Sequence, residues 1–337
     1  MKSGKMNSSN TSNRIAWIDY AKGIAILLVI VGHTIRNFYI RSIIFSFHMP
    51  IFFILSGYTF RPSKNIKDFL RKTKNSFKGL IIPAYCIWII RLILYYAVNH
   101  IKYSASEIFY SALYASGVQI NTNGIAIPAF GMIWFLVVLF WIRVLYDIIH
   151  LLIRNEKIRI IVIFIISELG IIIGKKQFLY FSFDIALAVL IIFFTGYIIN
   201  TKKILISGKW LSDKIIFVSF FIWTGLLGLC FIHHTHFEIA SRDYPFNFSS
   251  IIMAIAGSLV FISVCIWLSS LKGFFDPITQ LISTVGRFSL IMFAVHAFDN
   301  VWYPYIRVIP NIILVLFLRL GIDLILFFLT LKVLKKH

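Results

Sequence analysis

Residues 16–35, AWIDYAKGIAILLVIVGHTI, decide the fold of this 337-residue chain, because they form a long apolar segment with few polar interruptions. A helix of about 20 mostly apolar residues is long enough to cross the hydrocarbon core of a bilayer. Backbone groups in lipid must be satisfied internally, so helices and closed barrels are the structures that span it. The length and continuous apolar character of this segment predict a transmembrane helix.

The composition extends this prediction to the whole chain. Hydrophobic residues make up 59% of the sequence and charged residues 14%, whereas soluble domains carry about 25% charged residues. These values exclude a soluble enzyme, a disordered protein and a disulfide scaffold. A net charge of +20 would suggest nucleic-acid binding in a soluble chain. In a membrane protein it indicates basic cytoplasmic loops near anionic lipid, so we expect membrane lipids and no nucleic acid as partners.

Ten segments have the length and hydropathy of spanning helices, and the sequence therefore predicts an all-α polytopic membrane protein. We predict one membrane domain, residues 14–337, after a polar and disordered N-terminal segment, residues 1–13. The fifth span is short for a full crossing. The predicted spans are 16–35, 43–60, 80–98, 128–150, 160–174, 179–199, 215–232, 249–271, 286–303 and 308–331.

Lysine and arginine counts predict the side of the membrane that each connection faces. With the N-terminus inside, the cytoplasmic connections carry 23 of these residues and the opposite connections carry 7. Three more, Arg91, Arg143 and Arg319, lie within predicted spans. Basic loops remain on the cytoplasmic side, so both termini are predicted to be cytoplasmic.

The first span carries ionisable residues, which are costly in a membrane and therefore suggest function. Asp19 and Lys22 are three residues apart and can form an ion pair at the cytoplasmic edge. His33 follows Lys22 by eleven residues, about three helical turns. This spacing places Lys22 and His33 on one face of the helix, about 16 Å apart along its axis.

The second span contains a histidine that we expect at the depth of His33. It includes FSFHMPIFFILSGY, residues 45–58, and a short link, residues 36–42, would make the first two spans a helical hairpin. A single membrane histidine most often has a structural role, but His48 and His33 at matched depth above a basic group favour function. Pro50 lies in the first turns, where its missing N–H costs little, and Gly57 allows another backbone to approach closely.

These elements resemble the acyltransferase-3 family of membrane acyltransferases. Within it, the resemblance is strongest to the branch of fucose 4-O-acetylase-like and polysaccharide O-acetyltransferases. It covers residues 14 to about 335. Lys22 stands where relatives often carry arginine, which keeps the charge and loses the bidentate fork. The matching elements are residues 19–23, the ten residues between Lys22 and His33, residues 47–50 and 52–58, the segment 131–136 with Trp134, and the segment 286–290 with Arg287, followed by His296.

The resemblance implies an enzyme that passes an acyl group, usually from cytoplasmic acetyl-CoA, to a glycan hydroxyl on the far side or within the membrane. Ester formation needs a base for the hydroxyl proton and donors for the oxyanion. We expect His33 to be the base, and His48 to orient it or to donate to the oxyanion. Lys22 would face the CoA phosphates or anchor the helix through Asp19. The expected acceptor is a glycan or lipid-linked saccharide of the cell envelope, and the expected location is the bacterial cytoplasmic membrane.

The connection after the second span is predicted to receive the CoA phosphates. Residues 61–79 carry seven lysines and arginines against one acid, Asp68. Relatives tend to carry an arginine pair just before the Pro-x-Tyr that opens the third span, and here Arg71, Lys74 and Lys78 precede it with a different spacing. A basic loop lying on anionic lipid explains the same residues equally well.

The remaining polar residues within the spans are expected either to pair with one another or to support His33. His296 and Asp299, three apart, either form a carboxylate–imidazole pair or simply pack, whereas Arg319 and Asp323, four apart, are predicted to pair. Two acids, Glu168 and Asp184, are candidates for orienting His33. A structural ion pair is expected among three residues of the fourth span: Arg143, Asp147 and His150.

The segment HHTHFE, residues 233–238, contains three histidines but does not predict a metal site. It lacks the His-x3-His spacing that places two imidazoles on one helical face. We predict no metal and a loop near the entry of the acceptor. Aromatic residues near the end of the ninth span, Trp302, Tyr303 and Tyr305, are expected to anchor the chain at the interface or to stack on a sugar.

Two other classes of protein remain open on the sequence alone. A transporter or flippase for a glycan or small solute would also line its path with intramembrane charges. Transporters often have two related halves with broken helices at matching positions, and this sequence has no such repeat. A sensory or regulatory membrane domain would keep the fold without the chemistry. Acetyl transfer that depends on His33 would separate the enzyme from both.

Overall fold

The computed structural model describes residues 15–122, 124–204, 213–271 and 276–334; the N-terminal segment predicted to be disordered, residues 1–13, lies outside them. The described residues are almost entirely helical. A π-helical turn, Phe77–Ile81, joins α4 to α5, and a 3-10 turn, Tyr180–Ser182, precedes α9. The elements are α1 (Ala16–Thr34), α2 (Phe38–Phe45), α3 (His48–Thr59), α4 (Ile66–Ser76), α5 (Ile82–Asn99), α6 (Ala105–Tyr114), the antiparallel pair β1 (Ile120–Thr122) and β2 (Ile125–Ile127), α7 (Trp134–Leu152), α8 (Glu156–Lys176), α9 (Phe183–Ala188), α10 (Leu190–Thr201), α11 (Asp213–Ile232), α12 (Phe248–Ser270), α13 (Asp276–Arg287), α14 (Ser289–Ala297), α15 (Asp299–Ile306) and α16 (Ile312–Leu334).

Seven helical segments among the described residues are long and apolar enough to cross a bilayer. They are α1, α2 with α3, α4 with α5, α7, α11, α12 and α16. Two bent pairs, α9 with α10 at 52° and α13 with α14 at 76°, raise the number to nine if each pair crosses once. The chain is therefore an all-α polytopic membrane protein, and the number of ten spans stays a prediction.

Helix α8 explains why the predicted number exceeds nine. The expected short fifth span, 160–174, is wrong in length, because α8 has 21 residues and extends about 30 Å. Its charged residues, including Arg159 and Glu168, make it less apolar than the other long helices. Lys202, after α10, pairs with Glu156 at 3.0 Å, and Lys175 bonds Asn247, before α12, at 2.5 Å. Its two ends are thus held by neighbours at opposite ends of the bundle.

Several connections that were predicted to be loops are helical. Most of residues 61–79 belongs to α4, which continues through the π-turn into α5; most of the link 36–42 is α2, and α13 occupies much of 272–287. Asn65 caps α4 by accepting the backbone N–H of Asp68 at 2.9 Å. These segments are amphipathic or strongly polar, so a search for continuous apolar stretches does not detect them.

Glycines bring the first helices of the chain close to their neighbours. A Cβ atom on Gly57 of α3 would overlap the carbonyl oxygen of Phe193 in α10, and one on Gly196 of α10 would overlap that of Ile54 in α3. The close approach predicted at Gly57 is confirmed. The same reciprocal contact joins α1 and α13 at Gly23 and Gly286. Small residues at helix crossings allow the close backbone packing that is common in membranes.

Buried polar contacts tie several connections to the helices. At the end predicted to be outside, buried Arg242 binds Asp184 through Nε at 2.8 Å and Nη2 at 3.2 Å, and the Oγ of Ser182 donates to the carbonyl of Ala115 at 3.1 Å. At the other end, Ser63 donates to Asp147 through its backbone N–H at 2.7 Å. Which end faces the cytoplasm stays a prediction.

The ion pair expected among Arg143, Asp147 and His150 is wrong. Asp147 accepts both hydrogen bonds of Ser63, and Arg143 donates to the Oγ of Ser56 at 2.9 Å. His150 pairs with Nη1 of Arg159 at 2.9 Å. Partners from other helices therefore replace the neighbours that sequence spacing suggested.

Candidate functional site

His33 lies inside the bundle near the C-terminal end of α1, yet it is an exposed residue because it faces internal cavities. One cavity has a volume of about 60 Å³ and the other about 520 Å³. Among the described residues, the two cavities share His33, Gly117 and Met132 as lining residues. His33 is thus the titratable group that borders both.

The smaller cavity is mainly apolar. Its polar contributions come from His48 of α3 and from Glu238, in the connection between α11 and α12. The segment HHTHFE therefore reaches the smaller cavity through Glu238, and its expected place near the entry of the acceptor stays a prediction. Apolar side chains supply the rest of the wall: Val29, Phe45, Met49, Trp134, Ile239 and Phe293.

His48 and His33 lie on either side of Phe45. The ring centres of His33 and Phe45 are 5.7 Å apart, and those of Phe45 and His48 are 4.8 Å apart. Nδ1 of His48 lies 2.9 Å from the carbonyl oxygen of Ile44. Since a carbonyl can only accept, Nδ1 carries a proton, and Nε2 of the neutral ring is an acceptor. Neutral His48 therefore has no free N–H for an oxyanion.

The larger cavity is rich in polar and aromatic side chains. It lies beside the segment that joins α5 to α7, which contributes Tyr103, Glu107 and Gln119. Tyr303, one of the aromatics predicted to anchor the chain or stack on a sugar, lines this cavity. Further polar lining residues are Arg91, Tyr95, His296 and Arg319.

A buried network holds His296 beside His33. The ring centres of the two histidines are 6.0 Å apart. Nδ1 of His296 bonds the Oδ2 atoms of Asp299 at 2.6 Å and Asp323 at 3.2 Å, which confirms the predicted pair with Asp299. Nε2 of His296 has no partner among the described residues. A carboxylate that holds one nitrogen leaves the other available as a base.

Arg319 joins this network to α1. Its Nε donates to Oδ2 of Asp299 at 2.7 Å, and its Nη1 donates to Oγ1 of Thr34 at 3.0 Å. The predicted pair of Arg319 with Asp323 is therefore wrong, because Asp323 binds His296 instead. Thr34 follows His33 directly, so α16 fixes the backbone beside the candidate base.

The acids proposed to orient His33 do not do so. Asp184 is held by Arg242, and Glu168 lines neither cavity. No described residue forms a hydrogen bond with the ring of His33, whereas the ring of His296 is oriented by two aspartates.

Lys22 lines neither cavity. It precedes His33 by eleven residues in one continuous helix, about 16 Å along the axis, so it cannot contact the same reacting atoms. Asp19, near it in α1, does come together with Arg287 of α13, and both line a surface cleft. The residues predicted to support the site thus form two groups, at opposite ends of α1.

The helical segment that precedes α5 carries Arg71, Lys74 and Lys78, and all three side chains are exposed. Arg71 binds Asp68 at 2.6 Å, and Lys72 binds the other oxygen of Asp68 at 2.9 Å. One basic side chain of the predicted phosphate site is therefore paired with an acid. No ion pair involves Lys74 or Lys78 among the described residues.

Among the described residues, two groups of side chains converge closely enough to consider a cation. In the first, His296, Asp299 and Asp323 surround a position that Arg319 already neutralises. The second, His236 with Glu238 and Asp243, lies in an outer connection. There the hydrogen bond and negative charge of Glu238 raise the pKa of His236, because a carboxylate favours the protonated ring. The expectation of no metal stays a prediction.

Sequence reasoning missed several residues of the site. Arg91 was counted within a span but given no role, although an intramembrane charge is a functional signal. Thr34, Asp323 and Glu238 reach the site only through contacts between distant segments. Periodicity within one helix cannot reveal such contacts.

Comparison with known proteins identifies the family. A family model described as an acyltransferase domain matches residues 15–332. Nodulation protein NolL of Sinorhizobium fredii is 32% identical over 87 residues, which are 23% of this chain and 24% of that protein. Nodulation protein NolL of Mesorhizobium japonicum is 33% identical over 87 residues, 22% of this chain and 23% of that protein. The chain therefore matches about a quarter of the length of these relatives, and no solved structure matches it. The chain belongs to the acyltransferase-3 family.

Proposed function

We propose that this member of the acyltransferase-3 family is an integral membrane O-acetyltransferase. It would transfer an acetyl group from cytoplasmic acetyl-CoA to a hydroxyl of a cell-envelope glycan or exopolysaccharide. One observation carries the proposal: His33 borders both a small apolar cavity and a large polar cavity. A base in that position can contact a donor on one side and an acceptor on the other.

The smaller cavity supports acetyl as the acyl group. Its volume of about 60 Å³ is room for a few water-sized groups, at roughly 10–15 Å³ each. A long acyl chain would not fit without displacing the buried side chains of Phe45, Trp134 or Phe293, and dense protein interiors resist such displacement.

The larger cavity supports a saccharide acceptor. About 520 Å³ lies in the usual range of small-molecule sites. Tyr95, Tyr103 and Tyr303 offer aromatic rings, and Gln119 offers both a donor and an acceptor. A sugar ring presents apolar C–H faces and hydroxyl edges, which such a lining complements.

The proposed reaction uses His33 as the general base. The acceptor hydroxyl gives its proton to His33 while its oxygen attacks the thioester carbonyl carbon. The tetrahedral intermediate then breaks its C–S bond, the ester C–O bond remains, and the CoA thiolate takes the proton from His33. We assign the indole N–H of Trp134 as a donor to the oxyanion, because it lines the smaller cavity and donates to no described residue.

His296 acts as a positioning residue in this scheme. Its ring lies beside His33, and Asp299 keeps its Nδ1–H occupied. Its Nε2 can therefore accept a hydrogen bond from the acceptor or from His33. His48 accepts through Nε2 in the same way on the other side of Phe45.

The CoA phosphates would bind at the opposite end of the bundle. Lys74 and Lys78 are exposed there, and cationic side chains bind phosphate strongly. Lys22 and Arg287 lie at the matching end of α1 and α13, where the donor would enter. The NolL relatives come from bacteria, so we place this multi-pass protein in a bacterial cytoplasmic membrane.

The proposal is tested by acetyl-CoA turnover with the purified full chain in detergent. Radiolabelled acetyl-CoA is incubated with trigalacturonate or galactotriose, and release of CoA and labelling of the sugar are measured. We expect turnover in the wild type and a loss of at least about a hundredfold in His33→Ala.

His233→Ala is the matched control, because His233 is exposed and lines neither cavity. It should retain wild-type turnover. Folded wild-type protein that does not consume acetyl-CoA, or His33→Ala with undiminished turnover, would contradict the proposal.

A further inference from the structure

Arg91 of α5 is a buried cation without a carboxylate partner. Only 4% of the residue is exposed. Its Nη2 donates to the carbonyl oxygen of Ala129 at 2.5 Å, and its guanidinium lies 5.5 Å from the ring centre of Tyr95. Its Nε has no hydrogen-bond partner, and no described acid forms an ion pair with it.

Among the described residues, two other buried arginines are neutralised, whereas Arg159, 5% exposed, contacts His150 and the carbonyl oxygen of Ile153 and no acid. Arg242 binds Asp184 through two nitrogens, and Arg319 binds Asp299 at 2.7 Å. Burying an unpaired charge costs several kcal/mol, so buried cations normally have an anionic partner. Arg91 and Arg159 depart from this pattern among the described residues, and of these two Arg91 is the one that lines the large cavity.

The backbone around Arg91 is shaped to hold it. Gly131 has a φ of +86°, and a Cβ atom there would overlap Nη1 of Arg91. Glycine at this position therefore serves both the positive φ and the space that the guanidinium occupies. The backbone at Gly131 therefore accommodates a guanidinium group that forms no ion pair with a described acid.

Arg91 lines the same large cavity as His33. The acid of this cavity, Glu107, is occupied, because its Oε2 accepts the N–H and the Oγ–H of Ser104 at 2.7 Å each. Arg319 is balanced by Asp299. Arg91 thus borders the cavity assigned to the acceptor as a cation that no described acid contacts.

We infer that Arg91 binds an anionic group of the acceptor, so that the enzyme acts on an acidic saccharide or on one carried by a lipid phosphate. This inference rests on the proposed function, since it concerns the acceptor of that reaction. A guanidinium fork binds carboxylate and phosphate with paired hydrogen bonds. The CoA phosphates are assigned to Lys74 and Lys78, which precede Arg91 by 17 and 13 residues on one continuous helical segment, so about 20 Å or more of helix separates them.

Binding of three probes without acetyl-CoA tests the inference. The purified full chain in detergent is titrated with trigalacturonate, with geranyl diphosphate-linked N-acetylglucosamine and with neutral galactotriose. We expect at least one anionic probe to bind about tenfold or more tightly than galactotriose, because hydrogen bonds to charged groups are the stronger ones. Trigalacturonate binding would place the anion on the sugar, and binding of the diphosphate would place it on the lipid.

Variants link this preference to Arg91. Arg91→Gln should abolish it, and Arg91→Lys should retain part of it, since the charge remains and the fork is lost. Arg36→Gln is the control, because Arg36 is exposed and does not line the cavity. If Arg91→Gln fails to fold, the affinities of the three probes for the wild type and for Arg91→Lys still test the inference, because the preference for an anionic probe should be smaller in Arg91→Lys.

Three results would overturn the inference: equal binding of all three probes, no binding of either anionic probe to folded wild type, or a preference that survives in Arg91→Gln. None of these depends on acetyl-CoA. A chain that binds the anion through Arg91 but never consumes acetyl-CoA would contradict the proposed function and leave the inference standing.

Discussion

Three histidines near the cavities differ in their hydrogen-bond partners, and we assign them different roles on this basis. His48 is tied to a backbone carbonyl and His296 to two carboxylates, while His33 bonds to no described residue. A ring that has no hydrogen-bond partner within the protein can bond to substrate without first breaking another hydrogen bond. The accessible ring of His33 is therefore better suited to the reacting position than the two oriented rings.

Asp299→Asn should lower kcat by about tenfold or more and leave KM nearly unchanged. The amide removes the negative charge that orients His296 and balances Arg319, and Asp299 itself lines neither cavity. Measurement of kcat and KM over a pH range tests this, because a positioning role also moves the pH profile. Asp243→Asn is a control on an exposed acid; an unaltered kcat and pH profile in Asp299→Asn would contradict the role of His296.

The outer cluster of His236 makes stability depend on pH. Its hydrogen bond to Glu238, together with the charges of Glu238 and Asp243, raises the pKa of His236 above its ordinary value of 6.5, although Arg41 opposes this. A raised folded-state pKa contributes stability that is complete below the unfolded pKa and is lost as pH rises through the folded pKa. The melting temperature of the wild type should therefore exceed that of His236→Gln at pH 5 and approach it at pH 9. A difference that grows with pH would contradict this account.

The sequence predicted many residues of the site but not the contacts between them. Helical spacing predicted that His33 and Lys22 share a face and that His296 meets Asp299. It assigned Arg319 to Asp323 because they are four apart, whereas Asp299 from another helix is the actual partner. Spacing ranks neighbours on one helix and carries no information on contacts between helices.

At the scale of elements, the crossing of α3 and α10 fixes the helix that carries His48. Gly57→Leu should destabilise the protein by about 1–3 kcal/mol. The reason is that the carbonyl oxygen of Phe193 already occupies the position that the added side chain would need. Thermal unfolding in detergent measures this. Gly225→Leu is the matched control, since nothing lies within 4 Å of a Cβ on that helical glycine. Equal melting temperatures for the two variants would contradict the packing argument.

The helical extension α4 makes a separate prediction for the donor. Lys74→Glu combined with Lys78→Glu should raise the KM for acetyl-CoA by about tenfold, because two attractive charges become repulsive. Steady-state kinetics at fixed ionic strength measures the change, and Lys67→Glu on the same helix is the control. An unchanged KM would assign α4 to anionic lipid, the alternative that its composition also allows.

Elements were predicted best where they are apolar throughout. The long apolar helices follow the predicted spans closely, whereas α4 and α13 were treated as connections because their hydropathy is low. Breaks within predicted spans, such as those at Ser46–Phe47 and Phe298, were not foreseen either. Such breaks depend on how the helices pack against their neighbours, which hydropathy does not describe.

For the whole molecule, the charge of +20 has two components. Most basic residues belong to connections that the sequence predicts on the cytoplasmic side, as expected for a topological signal. Of the four buried arginines among the described residues, Arg91 and Arg319 line the large cavity. Composition predicted a membrane protein, and the placement of these few charges indicates where its chemistry occurs.

The central claim is that His33 joins a donor from one face of the membrane to an acceptor from the other. Proteoliposomes with α4 facing outward, radiolabelled acetyl-CoA outside and the preferred saccharide probe inside test it most directly. The account predicts labelled saccharide inside intact vesicles with the wild type and none above background with His33→Ala. Label that forms only when donor and acceptor share one side, or that forms equally with His33→Ala, would contradict it.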